Sequence, residues 1–214
     1  MRIAIWGTSG SGKTTLIKNL RQDPQFKNYK EVHEPVAKNP YFEAGYSPDL
    51  KISRANSYKT EIWMLTQRLK EIYDNQNDNN ILFDRTLLDS IVFAHTDYKT
   101  GRLNEVDWKV FESYFWKVII PSLKKMQPFD YIVYLKVNKK TAIKRMYARG
   151  LNFELNFDQE FWNQLNDSYD YYLEQMKHHF PKQFMVIWGN ANNPKLIVNS
   201  LIKALNYHSQ TKIN

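Results

Sequence analysis

The chain has 214 residues and not one cysteine. That excludes disulfides, thiolate nucleophiles and thiolate-held zinc or iron–sulfur clusters, and it agrees with a reducing compartment. Histidine is also scarce, with five residues, and their spacing suggests no metal site built from His and carboxylates. No stretch approaches the ~20 consecutive apolar residues of a membrane span, and the opening MRIAIWG is too short an apolar run for a signal peptide. A soluble, cytoplasmic protein without a membrane partner is expected. Internal repeats are lacking, and the lysines are scattered among acids, so no long basic stripe for nucleic acid emerges.

What is present fits one α/β domain spanning 1–214, large enough to bury a core without covalent staples. The net charge of +8 makes an anionic partner plausible, but charge alone does not choose between nucleic acid and a phosphorylated small molecule. Strands are expected at Arg2 to Trp6, Lys30 to His33, Ile81 to Phe83, Asp130 to Val137 and Phe184 to Trp188. Helical periodicity falls between them, at Lys13 to Arg21, Asn56 to Tyr73, Leu87 to His95, Glu105 to Lys125, Lys140 to Arg149, Gln159 to His178 and Pro194 to Tyr207. Such alternation predicts a doubly wound, five-stranded parallel sheet with helices on both faces. Asn39 to Ser53, with Pro40, Gly45 and Pro48, reads as a loop, Asp74 to Asn80 as a surface turn, and Leu151 to Asp158 as a mobile connection.

The most specific signal is Gly7-Thr8-Ser9-Gly10-Ser11-Gly12-Lys13-Thr14, followed by Thr15. It matches G-x-x-x-x-G-K-[ST] and lies between a strand and a helix, as a phosphate loop requires. The glycines let backbone N–H groups curl around phosphate oxygens, and the helix adds its positive dipole end. Lys13 is expected at the β- and γ-phosphates of ATP, and Thr14 on Mg²⁺. Asp84 ends the apolar run Ile81-Leu82-Phe83, where a second Mg²⁺ group belongs; capping the next helix is its alternative role. Arg145 and Arg149, four apart, share one helix face; they either reach a transferring phosphoryl group or form a solvated basic face.

Glu34-Pro35-Val36 follows the second strand, and with Asn39-Pro40-Tyr41, Ile62 to Arg68, Asp84-Arg85-Thr86-Leu87-Leu88 and Tyr131 to Leu135 it resembles the deoxynucleoside kinase family. The likeness is to the bacterial deoxyadenosine/deoxyguanosine kinase branch and runs in order along nearly the whole chain. It implies a P-loop kinase fold with a short arginine-bearing lid at about 145–158. It further implies that Glu34 accepts the proton of a deoxynucleoside 5′-hydroxyl, that Arg85 orients Glu34, and that Arg145 and Arg149 belong to the lid. Leu151 stands where the family usually has a further lid arginine. Glu154 takes the place of a glutamate on the sugar 3′-hydroxyl, with Tyr46 or Tyr41 as its tyrosine partner, and Phe93 that of a phenylalanine stacked on the base.

Glu61 occupies the place of a base-reading glutamine, and Ser90 that of an aspartate that assists it, with Asp89 one residue earlier. An ionised carboxylate only accepts hydrogen bonds, so Glu61 is expected to favour guanine, whose N1–H and 2-amino groups are adjacent donors. A helix-surface glutamate is the alternative. The overall expectation is transfer of phosphate from Mg·ATP to a purine deoxynucleoside in nucleotide salvage, by a homodimer open to feedback by a deoxynucleoside triphosphate. Thymidylate-kinase-like phosphorylation of a monophosphate is the nearer rival, although Val36-Ala37 replaces that family's usual Gly-Gly; a nucleic-acid-dependent ATPase is the more distant one.

Overall fold

The computed structural model describes residues 1–155, 159–191 and 193–211. Five parallel strands, β1 (Arg2–Trp6), β2 (Lys30–Val32), β3 (Ile81–Asp84), β4 (Tyr131–Lys136) and β5 (Phe184–Trp188), form one sheet in the order β2-β3-β1-β4-β5. Successive side chains of a strand point to opposite faces. Ala4, Trp6, Phe83, Ile132 and Tyr134 accordingly join one buried cluster, while Ile3, Ile5, Leu82, Val133 and Leu135 join the other. The doubly wound sheet expected from the sequence is therefore present, with a core on each face.

Helices α1 (Lys13–Leu20) and α10 (Pro194–Thr211) cover the second face. The first is covered by α3 (Leu50–Asp74), α4 (Leu88–Lys99), α5 (Glu105–Tyr114), α6 (Ile120–Met126) and α9 (Gln159–His179). Between α5 and α6 the chain widens into a π-turn at Phe115–Ile119, so the single helix expected from Glu105 to Lys125 is continuous but not uniformly α. Pro121 lies just beyond; its ring removes an amide and crowds the carbonyl four residues back, which the wider turn accommodates.

The expected loop at Asn39 to Ser53 is shorter than anticipated. It contains α2 (Phe42–Gly45), and α3 begins at Leu50 rather than Asn56. Asp49 explains the early start: its Oδ1 accepts the amides of Lys51 at 2.8 Å and Ile52 at 3.4 Å, an N-cap hidden behind Pro48. α2 lies so close to α3 that a Cβ on Gly45 would sit 2.1 Å from Thr60 Oγ1. The stretch expected to form a lid, about 145–158, takes in the end of α7 (Lys139–Arg149) and α8 (Asn152–Leu155), so part of the anticipated mobile connection is helical; 156–158 lie outside the described residues.

Candidate functional site

The phosphate loop follows the central strand β1, Asp84 ends its neighbour β3, and Glu34 lies just beyond β2 at the sheet edge. All three occupy the carboxyl ends of strands, where open α/β sheets form their crevice. A cavity of about 810 Å³ opens there, lined at one end by Ser9, Gly10, Gly12, Lys13, Thr14 and Thr15. At the other end Tyr46, Glu61, Met64, Arg68, Phe93 and Trp162 line it, with Glu34 and Arg85 among the residues between.

The loop is held from within. Gly10 has φ 76°, and a Cβ there would lie 2.1 Å from the Ala142 carbonyl of α7, so only glycine fits beneath that helix. Lys13 Nζ donates to the carbonyls of Gly7 (2.8 Å) and Thr8 (2.9 Å). Burial, then the nearby Arg85 guanidinium, lowers its pKa to about 7. The hydroxyls of Thr8 and Ser11 are buried without a hydrogen-bond partner, as expected of a cradle shaped for an anion. Thr14 Oγ1 donates to Asp84 Oδ2 at 2.5 Å, bringing together two hard oxygen ligands of the type Mg²⁺ takes.

Arg85 is the hub of the cavity. It adopts φ 74°, uncommon for a side-chain-bearing residue, and its amide donates to the Ile5 carbonyl. Its Nε contacts Glu34 Oε2 at 2.8 Å, while Nη1 donates to Tyr169 Oη at 2.8 Å and Nη2 to Ser9 Oγ at 3.1 Å. Asp89 Oδ1 accepts from both Arg85 and the Tyr169 hydroxyl. Asp89 thus fixes Arg85 and is not among the residues lining the cavity.

Glu34 is clamped a second time by Arg68 Nη2, and Arg68 Nη1 donates to Ser90 Oγ at 2.7 Å. Burial alone would raise the Glu34 pKa, but Arg85 and Arg68 outweigh it and keep the carboxylate ionised. Ser90 therefore supports Arg68 rather than lining the cavity. Sequence reasoning gave Arg68 no role. The available signal was its spacing, since Glu61, Met64 and Arg68 recur at three and four residues along one face of α3.

At the far end, Tyr46 lines the cavity and stacks on Phe42 at 4.7 Å, whereas Tyr41 does not line it and is 38% exposed. Phe93 carries Arg85 over its ring at 4.9 Å. Arg145 donates to the carbonyls of Ser11 (3.3 Å), Gly189 (2.9 Å) and Ala191 (3.3 Å), tying α7 to the phosphate loop and to the segment after β5. Arg149 pairs instead with the buried carboxylate of Glu154. Trp162, whose indole donates to the Glu154 carbonyl at 3.2 Å, was also missed.

Glu61 lies on the buried side of α3, not on its surface, at 1% exposure. Its Oε2 has no hydrogen-bond partner. Burial, reinforced by the charge of Asp97, raises its pKa well above the ordinary carboxylate value. Burial thus works against the ionised acceptor expected from the sequence.

The family model for deoxynucleoside kinase matches residues 3–203 of the chain. The chain belongs to the deoxynucleoside kinase family. Among solved structures of such kinases, deoxyadenosine kinase from M. mycoides with bound dATP superposes with a TM-score of 0.81 and 33% identity, covering 96% of this chain and 100% of that one. A curated relative, the deoxyadenosine/deoxycytidine kinase of Bacillus subtilis, is 27% identical over 80% of this chain and 76% of its own length. The deoxyguanosine kinase of the same organism is 25% identical over 92% of this chain and 89% of its own. As a member of this kinase family, the chain is a phosphotransferase.

Proposed function

We propose that this deoxynucleoside kinase transfers the γ-phosphate of Mg·ATP to the 5′-hydroxyl of a purine deoxynucleoside, giving the 5′-monophosphate for nucleotide salvage in the cytoplasm. The observation that carries the reading is Glu34, ionised between two guanidinium groups in the cavity that the phosphate loop also lines. ATP supplies the phosphoryl group. The backbone amides of 7–15, the orphaned hydroxyls of Thr8 and Ser11, and Lys13 would cradle its phosphates, while Thr14 and Asp84 would hold Mg²⁺.

Phosphoryl transfer has a loose transition state, so it asks more for alignment and charge neutralisation than for a strong base. Glu34 suits that demand: held on both oxygens, it is a fixed acceptor for the 5′-hydroxyl proton. Arg85 spans from Glu34 to Ser9 of the phosphate loop and so orients acceptor and donor together. Arg145 sits over the loop from the lid, and Arg149 would join it once released from Glu154. Glu154 and Tyr46 are assigned to the sugar, Phe93 and Glu61 to the base.

Other parts of the reading draw on further observations. Val106, Val110, Tyr114 and Val118 recur every four residues and are 42–71% exposed, an apolar row suited to helix packing across a homodimer axis. A deoxynucleoside triphosphate spanning both ends of the cavity would act as a feedback inhibitor; the M. mycoides kinase is described with bound dATP and with bound dCTP. Thermal shift separates this function from phosphorylation of a monophosphate. Deoxyadenosine and deoxyguanosine should raise the melting temperature more than their 5′-monophosphates do in the presence of an ATP analogue; stabilisation by the monophosphates alone would favour the rival.

A further inference from the structure

Base recognition in this cavity depends on which proton Glu61 holds, and the side chains around it decide that. Arg68, on the same helix, donates through Nη2 to Glu34 and through Nη1 to Ser90, its Nε has no partner, and among the described residues no ion pair joins it to Glu61. Asp97 of α4 adds a second buried carboxyl rather than a counter-charge, at 3% exposure. Tyr46, after α2, is a phenol whose pKa is itself raised by burial and by Glu61 and Asp97, so it brings no positive charge. Arg68 and Arg85 favour the charged form of Glu61 and Glu34 opposes it, but burial and Asp97 are the larger influences, and Arg102, after α4, acts on Asp97. A buried carboxyl without a cation bonded to it is far cheaper to keep neutral than charged.

We propose that Glu61 reads the base as an uncharged carboxyl, donating one hydrogen bond and accepting another, and that Asp97 is the positioning residue that keeps the proton there. It rests on the deoxynucleoside reading above and deepens it. A neutral carboxyl has the donor–acceptor pair of an amide, which complements the amino group and adjacent ring nitrogen of adenine, and equally that edge of cytosine. Once ionised, it has no proton to give the ring nitrogen and sets a lone pair against it, whereas guanine still offers two adjacent donors. Adenine and cytosine recognition is thus lost on ionisation and guanine recognition kept. Burial lifts Asp97 to about 7, opposed by Arg102, so near neutral pH it begins to charge and then resists loss of the Glu61 proton; the two titrate as a pair.

The test is the ratio of kcat/KM for deoxyadenosine over deoxyguanosine, measured between about pH 6 and about pH 9 for the wild type, Glu61→Gln and Asp97→Asn. At the acid end Glu61→Gln should reproduce the wild-type ratio within about threefold, because an amide mimics the neutral acid. Toward the alkaline end the wild-type ratio should fall relative to that of Glu61→Gln by roughly tenfold, the scale of a lost base contact. Deoxycytidine should follow deoxyadenosine. The Gln variant experiences the same ionisation of the substrates themselves and so removes it from the comparison. In Asp97→Asn, where a like charge is gone, the fall should come at lower pH.

A change of tenfold or more in the Glu61→Gln ratio at the acid end would overturn the neutral carboxyl. So would ratios that run parallel at every pH in all three proteins. Should either variant fail to fold by thermal melting, the wild-type ratio and the remaining variant still decide the matter. If the wild type phosphorylates no deoxynucleoside at any pH, the kinase reading fails instead, and the two failures are distinct.

Discussion

The two ends of the cavity are built on different principles. The donor end is one contiguous stretch, 7–15, whose backbone is bent by glycine and pinned beneath α7, with Lys13 tied to carbonyls of its own loop. The acceptor end is assembled from side chains on several elements, among them Glu34 after β2, Tyr46 after α2, Glu61 and Arg68 on α3, and Phe93 on α4. Backbone geometry dictates one end, and a buried balance of acidic side chains against arginines dictates the other. The donor end should therefore tolerate no change of shape, and the acceptor end should respond to changes of charge.

The largest effect tests that rigidity. Gly10→Ala forces a Cβ against the Ala142 carbonyl in a conformation alanine avoids, so ATP binding by calorimetry and turnover should both be lost; a variant with wild-type ATP affinity would break the contrast. Next comes Glu34→Gln, which keeps the shape and removes the charge. Its kcat should fall by about 10² or more while ATP affinity stays near the wild-type value. Phe93→Ala is expected to raise KM for the deoxynucleoside roughly tenfold, the scale of a lost stacking contact, and leave KM for ATP unchanged.

The smallest effect lies outside both ends and shows what an ordinary buried titration looks like. His95 sits among Trp108, Tyr171 and Tyr172 with Nδ1 3.0 Å from Ser168 Oγ, and burial, with Lys99, lowers its pKa to about 4. The unfolded chain binds a proton below its ordinary pKa of about 6.5 that the folded protein refuses, so this contribution to stability is lost as pH falls from there toward 4. His95→Gln should flatten the fall in melting temperature over that window and leave the base ratio unchanged.

The contrast also explains what could be read in the sequence. The phosphate loop is a local code, and the five strands follow from apolar runs on a sheet buried on both faces. Asp49 was passed over because Pro48 marks a turn, and a cap is recognised only when the helix beyond it is already suspected. Arg68 went unassigned because its partners Glu34 and Ser90 lie 34 and 22 residues away in the chain. The influences on the Glu61 proton were not legible for a related reason: they include neighbours such as Asp97, on another helix, that only the fold brings near. Tyr46 and Tyr41 could not be separated until α2 turned one inward.

The most direct test of the account is a transfer assay with labelled ATP, Mg²⁺ and the four deoxynucleosides, beside their ribose counterparts and 5′-monophosphates. Label should appear in a purine deoxynucleoside 5′-monophosphate, with the ribonucleosides poorer acceptors. Label passing only from monophosphate to diphosphate, or ATP hydrolysis stimulated by DNA or RNA without any deoxynucleoside, would contradict it.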